Sequence, residues 1–243
     1  MNYYVFNNIF KKMGEKGELW RTSGQNFYVT LPLKIFKVEN SKKYIIFGLG
    51  NAEDEYAGTR HNIGFEVVSA LAKKLSVTFR TDRYAYVAEG HYKGRTLLLV
   101  MPTTYMNLSG KAVRYWMDHE KVDSSNILVI CDDIDLQPGQ LRMRAKGSGG
   151  THNGLNNIIE LVGHSNFPRL RFGVGHDFAQ GYQIDYVLGR FDSKELKETI
   201  EPAIETATQM ILSFATAGIQ LTMNQFNTAK KKPNDEKTAT DEK

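Results

Sequence analysis

Several side chains that could activate a water molecule follow apolar segments of the sequence. Asn51 comes shortly after the apolar run 44–49, and His61 follows it in the same stretch. Asp132 comes directly after the apolar run 127–131. When a carboxylate accepts a hydrogen bond from one imidazole nitrogen, it fixes the tautomer, and the other nitrogen can take a proton from water. His61 and Asp132 are therefore candidates for a general base and its partner.

Two more loops carry asparagine. Asn107 lies in the loop after the apolar run 96–101, and Asn153 follows His152 in the glycine-rich loop 146–154. An asparagine side chain offers both a donor and an acceptor, which suits a substrate amide or a developing oxyanion.

A serine or cysteine nucleophile has no support in the sequence. The G-x-S-x-G pattern of a nucleophile elbow is absent, and Cys131 lies inside an apolar segment. The polar loops therefore indicate chemistry that uses an activated water.

The segments between these loops predict strands that alternate with helices. Apolar and alternating runs predict strands at 44–49, 84–89, 96–101, 127–131, 141–145 and 170–174, the second and third forming a hairpin. Helical spacing of apolar residues predicts helices at 63–75, 111–120, 155–162 and 195–217. This order indicates a three-layer α/β fold with a largely parallel sheet, whose strand ends would bring the polar loops to one edge.

The net charge of +4 is concentrated at the N-terminus. Residues 1–43 carry eight Lys or Arg against three Asp or Glu, so the remaining residues balance to −1. We expect 1–43 to be a basic extension, either poorly ordered or forming an edge strand at 27–36 that Pro32 interrupts. Residues 229–243 lack large apolar side chains and should be a disordered charged tail, which leaves one folded domain at 44–228.

Composition predicts a cytoplasmic protein. No apolar run reaches the roughly 18 residues that span a membrane, and the N-terminus lacks the pattern of a signal peptide. A single cysteine cannot form an internal disulfide, which is typical of a reducing compartment. Since no extended apolar surface is indicated, we expect a monomer.

Four motifs in order give the sequence a resemblance to a known family. They are G-L-G-N-x-x-x-x-Y-x-x-T-R-H-N-x-G-F, P-T-T-Y-M-N-L-S-G, D-D-x-D-L-x-x-G and G-G-x-H-N-G-L, and between residues 44 and 226 they resemble bacterial-type peptidyl-tRNA hydrolase. The resemblance implies a single α/β domain with a twisted, mixed sheet. It also implies hydrolysis of the ester that links a peptide to the terminal ribose of tRNA, without a metal or another cofactor.

The resemblance further implies a role for nine residues. The catalytic histidine of the family falls on His61 and its partner aspartate on Asp132. The other positions are substrate-positioning asparagines at Asn51, Asn107 and Asn153, aromatic residues beside the cleft at Tyr56 and Tyr105, and arginines for tRNA phosphate at Arg144 and Arg171.

The sequence departs from the family pattern in three loops. Ala52-Glu53 stands where Pro-Gly is usual, Thr151 stands where glycine is common, and the segment after residue 175 lacks the usual proline. The turn at 52–53 separates Asn51 from His61, so we expect it to set their distance. Thr151 adds bulk beside the loop asparagine.

Some of these residues have alternative roles. Asp132, Asp133 and Asp135 could bind Mg²⁺, but strand alternation should point Asp133 away from the other two. Asn107 and Asn153 could each cap the helix that follows.

Other binding functions are weaker predictions. The loop 146–154 lacks the G-x-x-x-x-G-K-[ST] pattern of an NTP site, and G-L-G-N lacks the third glycine of a dinucleotide site. Arg142, Arg144 and Lys146 share one face at a period of two, which favours a phosphate-binding stripe over ordinary solvated charges. The alternative to a hydrolase is a non-catalytic RNA-binding protein, similar to relatives on this fold that act in splicing.

Overall fold

The computed structural model describes residues 43–227. The predictions made for 1–42, including the edge strand at 27–36, and for the tail at 229–243 lie outside these residues. Among the described residues, none of the helices has the length and apolar character needed to cross a membrane.

A seven-stranded mixed sheet forms the centre of the described part. Its strands are β1 (Lys43–Gly48), β2 (Arg80–Asp82), β3 (Ala85–Tyr92), β4 (Arg95–Pro102), β5 (Ile127–Asp133), β6 (Leu141–Arg144) and β7 (Arg169–Gly173). They lie in the order β2-β3-β4-β1-β5-β7-β6. The four central strands are parallel, and β2, β3 and β6 pair antiparallel at the two sides. The predicted mixed α/β fold is confirmed.

In the described part, six α-helices of six or more residues connect and cover the strands. They are α1 (Ile63–Leu75), α2 (Ser109–Glu120), α3 (Asn153–Val162), α4 (Gln183–Leu188), α5 (Glu201–Ala217) and α6 (Ile219–Phe226). Alternate residues of β1 bury their side chains on opposite faces of the sheet. Ile46 packs with residues of α1 and α5, whereas Ile45 and Phe47 pack with residues of α2 and α3. The result is the expected three-layer arrangement.

The first strand and the first helix approach each other very closely. A Cβ atom built on Gly48 would lie 2.2 Å from the carbonyl oxygen of Gly64. Glycine at this point is therefore a packing requirement, because any side chain would push α1 away from the sheet. This contact brings the start of α1 next to the end of β1, where the polar loop between them folds back.

The differences from the predicted elements are local. The helix predicted at 63–75 matches α1, whereas α3 begins at Asn153, two residues before the predicted start. The long helix predicted at 195–217 contains a π-helical segment, Leu196–Ile200, before α5. Strand β2 and helices α4 and α6 were not predicted, because three to eight residues are too few for a clear period.

Candidate active site

A histidine–aspartate pair lies at the carboxyl edge of the sheet. His61 is in a 3₁₀ turn, Arg60–Asn62, that leads directly into α1, and Asp132 is near the end of β5. The Nδ1 atom of His61 is 2.8 Å from Oδ1 of Asp132. Both side chains are largely buried, at 15% and 5% exposed. The two residues that the sequence predicted as partners are therefore in contact.

Charge and burial shift the pKa of each residue of this pair in opposite directions. Burial lowers the pKa of His61, but the charge of Asp132 and its hydrogen bond raise it more, so the pKa lies above its ordinary value. Burial raises the pKa of Asp132, but the hydrogen bonds and charges of His152 and His61 together hold it well below its usual range. Asp132 is therefore ionised near neutral pH and accepts the Nδ1 proton of His61, which leaves the lone pair of His61 on Nε2.

A second histidine contacts the same carboxylate oxygen. His152 is the N-cap of α3, and its Nδ1 accepts a hydrogen bond from the backbone N–H of Leu155 at 3.2 Å. Its Nε2 is 3.1 Å from Oδ1 of Asp132, and the centroids of the His61 and His152 rings are 5.1 Å apart. No role for His152 was predicted from the sequence, although it stands in the same motif as Asn153.

Asn51 is fixed by a buried neighbour of His61. Its backbone N–H donates to Oδ1 of Asn62 at 2.8 Å, and its backbone C=O accepts from Nδ2 of Asn62 at 2.9 Å. Its own Oδ1 accepts from the backbone N–H of Met106 at 3.2 Å, which leaves Nδ2 as the group it can offer to a substrate. The Asn62 amide thus joins Asn51 directly to the turn that carries His61.

The expectation that the 52–53 turn sets the separation of Asn51 and His61 therefore needs correction. The two bonds of Asn62 connect them across the turn, and Glu53 is exposed. Replacement of Pro-Gly by Ala52-Glu53 leaves this connection in place.

A cleft of about 500 Å³ opens over the pair. The predicted residues that line it are His61, Asp132, Asn51, Tyr105, Asn107, Asn153 and Arg171. Tyr105 is 66% exposed at the mouth of the cleft, and helix α4 forms another part of the wall. Tyr56 and Arg144 are not among the lining residues; Tyr56 is half-buried in a 3₁₀ turn, and Arg144 is exposed on β6.

Asn107 and Asn153 do not cap helices. The residue before α2 makes no side-chain capping bond, and the cap of α3 is His152. The capping alternative for both asparagines is therefore wrong, and the two exposed side chains remain available at the cleft. Thr151 is also exposed, so its extra bulk points out of the packed part of the loop.

Four arginines lie on one face of the β6–β7 pair. In the antiparallel register Arg142 is opposite Arg171, and Arg144 is opposite Arg169. Residues directly opposite each other share a face, so the predicted basic stripe of β6 extends onto β7. Lys146 is exposed just beyond the end of β6.

The two arginines on β7 have different surroundings. Arg169 is buried, stacks on Phe167 and donates to the backbone oxygens of Ser148 and Ser165, so it anchors the glycine-rich loop. Arg171 is ion-paired with Asp133 and Asp135.

The family of the chain follows from its match to a family model. The sequence model of the peptidyl-tRNA hydrolase family matches residues 45–235 of this chain. The chain belongs to the peptidyl-tRNA hydrolase family. This stretch contains every residue of the cleft described above.

Relatives and a solved structure agree with this family. The chain is 54% identical over 188 residues to peptidyl-tRNA hydrolase of Cytophaga hutchinsonii, which covers 77% of this chain and 100% of the relative. It is 51% identical over 185 residues to that of Phocaeicola vulgatus, covering 76% and 98%. A crystal structure of peptidyl-tRNA hydrolase from Acinetobacter baumannii superposes with a TM-score of 0.73 at 35% identity, covering 78% of this chain and 97% of that one. None of these names supports the alternative of a non-catalytic splicing relative.

The acidic residues of this peptidyl-tRNA hydrolase family member do not form one Mg²⁺ site. Asp132 faces the two histidines, whereas Asp133 and Asp135 both contact Arg171. The prediction that Asp133 points away from Asp132 agrees with these contacts. The prediction that it also points away from Asp135 is wrong, because β5 ends at Asp133 and the alternation stops there.

The two histidines and Asp132 place their ligand atoms within 4.8 Å of one another, which is close enough to surround a metal ion. The donor chemistry does not suit one. Because Nδ1 of His152 accepts a backbone N–H, the proton of this ring is on Nε2, the atom that faces Asp132. A protonated Nε2 has no lone pair for a metal, so the contacts fit a hydrogen-bonded set.

Proposed function

We propose that this protein hydrolyses the ester between the peptide and the terminal ribose of peptidyl-tRNA, with His61 as general base and Asp132 as its orienting partner. One observation supports this most directly. The 2.8 Å contact between His61 Nδ1 and Asp132 Oδ1 lies at the base of a cleft that could admit the acyl end of the substrate. The family and the relatives are consistent with the same activity.

The reaction needs one proton to move twice. Nε2 of His61 takes a proton from water as the water oxygen attacks the ester carbonyl carbon. The tetrahedral intermediate carries its negative charge on the former carbonyl oxygen. When it collapses, the bond from carbon to the ribose oxygen breaks, and the imidazolium of His61 returns the proton to that oxygen. The products are a free peptide acid and a tRNA with a free ribose hydroxyl.

Three asparagines would hold the peptide end. Asn51 lines the same cleft as His61, and its Nδ2 donor suits the developing oxyanion or the last peptide carbonyl. Asn107 and Asn153 line the same cleft and suit the peptide amide. An aminoacyl-tRNA carries an ammonium where the substrate has this amide, and burying the ammonium among neutral amides would cost several kcal/mol, on the order of the penalty for an unpaired polar group. This difference would favour the peptidyl form.

The arginine face of β6 and β7 would hold the tRNA through phosphates. Arg144 is exposed and free to meet a phosphate, whereas Arg171 would have to exchange Asp133 or Asp135 for one. Phosphate contacts carry little sequence information, which suits an enzyme that accepts every tRNA. Tyr105, exposed at the mouth, offers a surface for the end of the tRNA or the peptide, and Tyr56 would support it from the neighbouring turn.

The proposal also covers the cellular location, the oligomeric state and the bounds of the catalytic domain. We propose that the protein acts in the cytoplasm, where translation takes place, as a monomer whose catalytic domain spans 44–228. The hydrolysis uses a water activated by His61 and assigns no step to a metal.

Turnover of an N-blocked aminoacyl-tRNA, with and without a chelator, tests the proposal. Cleavage should survive the chelator and fall by at least about 10³-fold in His61→Ala, since a general base and its proton transfer are lost together. Loss of cleavage on chelation would instead assign the reaction to a metal. Tight tRNA binding without any turnover by the wild-type chain would support the non-catalytic RNA-binding alternative.

A further inference from the structure

One carboxylate oxygen at the candidate active site has two histidine partners. Oδ1 of Asp132 is 2.8 Å from Nδ1 of His61 and 3.1 Å from Nε2 of His152. Asp132 is only 6% exposed, so water has little access to this oxygen. A buried oxygen that accepts two N–H groups has less negative charge to share with each of them.

The direction of the second bond is fixed by the start of α3. The backbone N–H of Leu155 donates to Nδ1 of His152, which must therefore be unprotonated. A neutral His152 then carries its proton on Nε2 and donates it to Asp132. The ring also lies close to the backbone of α3, since a Cβ built on Gly154 would be 3.0 Å from Cε1 of His152.

We propose that His152 is a positioning residue that acts through Asp132: its Nε2–H fixes the rotation of the carboxylate and limits the stabilisation that Asp132 gives to protonated His61. The proposal rests on the proposed function of His61 as the base. His152 thereby keeps His61 neutral at a lower pH than it would be if Asp132 accepted a hydrogen bond from His61 alone. More of the enzyme is then active near neutral pH.

The other charged groups at the cleft do not compete for this role. Among the described residues that line it, those besides the three already named are Asp133, Asp135 and Arg171. Arg171 is ion-paired with both Asp133 and Asp135. The described contacts to Asp132 Oδ1 thus come from the turn before α1 and from the start of α3.

Three variants separate this role from simple packing. His152→Asn keeps an acceptor for the Leu155 N–H at the N-cap but is too short to donate to Asp132. His152→Gln is long enough to place an amide donor near Asp132. Asn156→Ala is the matched control, because Asn156 Nδ2 holds the same loop through the backbone oxygen of Gly150, whereas the hydrogen bonds of Asp132 within residues 43–227 go to His61 and His152.

The measurement is an NMR titration of the His61 ring in the full chain without substrate, together with the pH profile of kcat/KM. In His152→Asn the midpoint for His61 should rise by about half a pH unit or more, because Asp132 is left with one donor. The acid limb of kcat/KM should move by the same amount. His152→Gln should return both midpoints toward the wild type, and Asn156→Ala should leave them unmoved.

Other outcomes overturn the proposal. An unmoved midpoint in His152→Asn, with turnover reduced equally at every pH, would make His152 a helix cap only. A wild-type His152 whose ¹⁵N shifts show an unprotonated Nε2 at neutral pH would remove the donor itself, and this needs no variant. Because the NMR titration needs no turnover, a failure here is distinguishable from a failure of the proposed hydrolysis.

Discussion

At the scale of single residues, the candidate chemistry depends on which nitrogen of His61 is free. Asp132 accepts the Nδ1 proton, so Nε2 carries the lone pair that a general base requires. The same contact raises the pKa of His61. A base must be neutral, so activity is present above this raised pKa and is lost as the pH falls through it. The acid limb of the rate profile should therefore lie above the ordinary histidine value of about 6.5.

Replacing Asp132 by asparagine tests this relation. Asp132→Asn removes the charge that stabilises the imidazolium and no longer selects the Nδ1–H tautomer. We expect kcat to fall by about 10²- to 10⁴-fold and the acid limb of kcat/KM to move to lower pH. The affinity for uncleaved tRNA should change little, because Asp132 does not belong to the arginine face. A collapse of tRNA affinity would show that Asp132 supports the fold of the site and not its proton chemistry.

At the scale of elements, the site is built from loops that are held by side-chain amides. Asn62 bonds both backbone groups of Asn51, and its buried side chain joins the end of β1 to the start of α1. Gly48 and Gly64 allow the strand and the helix to lie close enough for this connection. The geometry between Asn51 and His61 thus comes from packing of two elements and one amide.

Asn62→Ala tests whether this connection matters for turnover. Two backbone groups of the half-buried Asn51 would lose their partners, at a cost of up to about 1–3 kcal/mol for each group that water does not reach. For a chain of this size each kcal/mol lowers Tm by about 2–4 °C. Because Asn51 would also move relative to His61, we expect kcat to fall by about tenfold or more.

A matched control exists at the other end of the described chain. The amide of Asn227 bonds both backbone groups of Met143 on the edge strand β6, at 2.9 and 2.8 Å. Asn227→Ala should therefore lower Tm by a similar amount and leave kcat near that of the wild type. Equal losses of kcat in the two variants would mean that Asn62 acts through stability alone.

At the scale of the whole molecule, overall charge does not explain tRNA binding. Outside residues 1–43 the basic and acidic side chains nearly cancel. A polyanion must then be attracted by a local concentration of positive charge, and we propose that the β6–β7 face attracts it through Arg142 and Arg144, with Arg171 joining when a phosphate replaces one of its carboxylate partners. This face adjoins the cleft, because Arg171 contributes to both.

The salt dependence of tRNA binding tests this face. Arg144→Gln should weaken binding of uncleaved tRNA and reduce the slope of log K against log [salt] by about one, as expected for one lost phosphate contact. Arg114→Gln is the control, because Arg114 is also exposed but lies on α2 and pairs with Asp118. If both variants reduce the slope equally, net charge and not the arginine face governs binding.

The family, the α/β class and the His61–Asp132 pair could all be predicted from the amino-acid sequence alone. These depend on local patterns: apolar runs at strand period, helical spacing in 63–75, and motifs whose residues lie within a few positions of each other. The order of the motifs was enough to place their loops at one sheet edge, since parallel strands end on the same side.

The contact partners of several site residues could be identified only from the folded chain. The pairing of Arg171 with Asp133 depends on the register of β5 and β7, which local sequence does not specify. The contact of His152 with Asp132 depends on where α3 begins, and histidine is not among the preferred N-caps, so the pattern pointed to Asn153 instead. Both contacts join residues far apart in the chain, and long-range packing fixed them where local propensity could not.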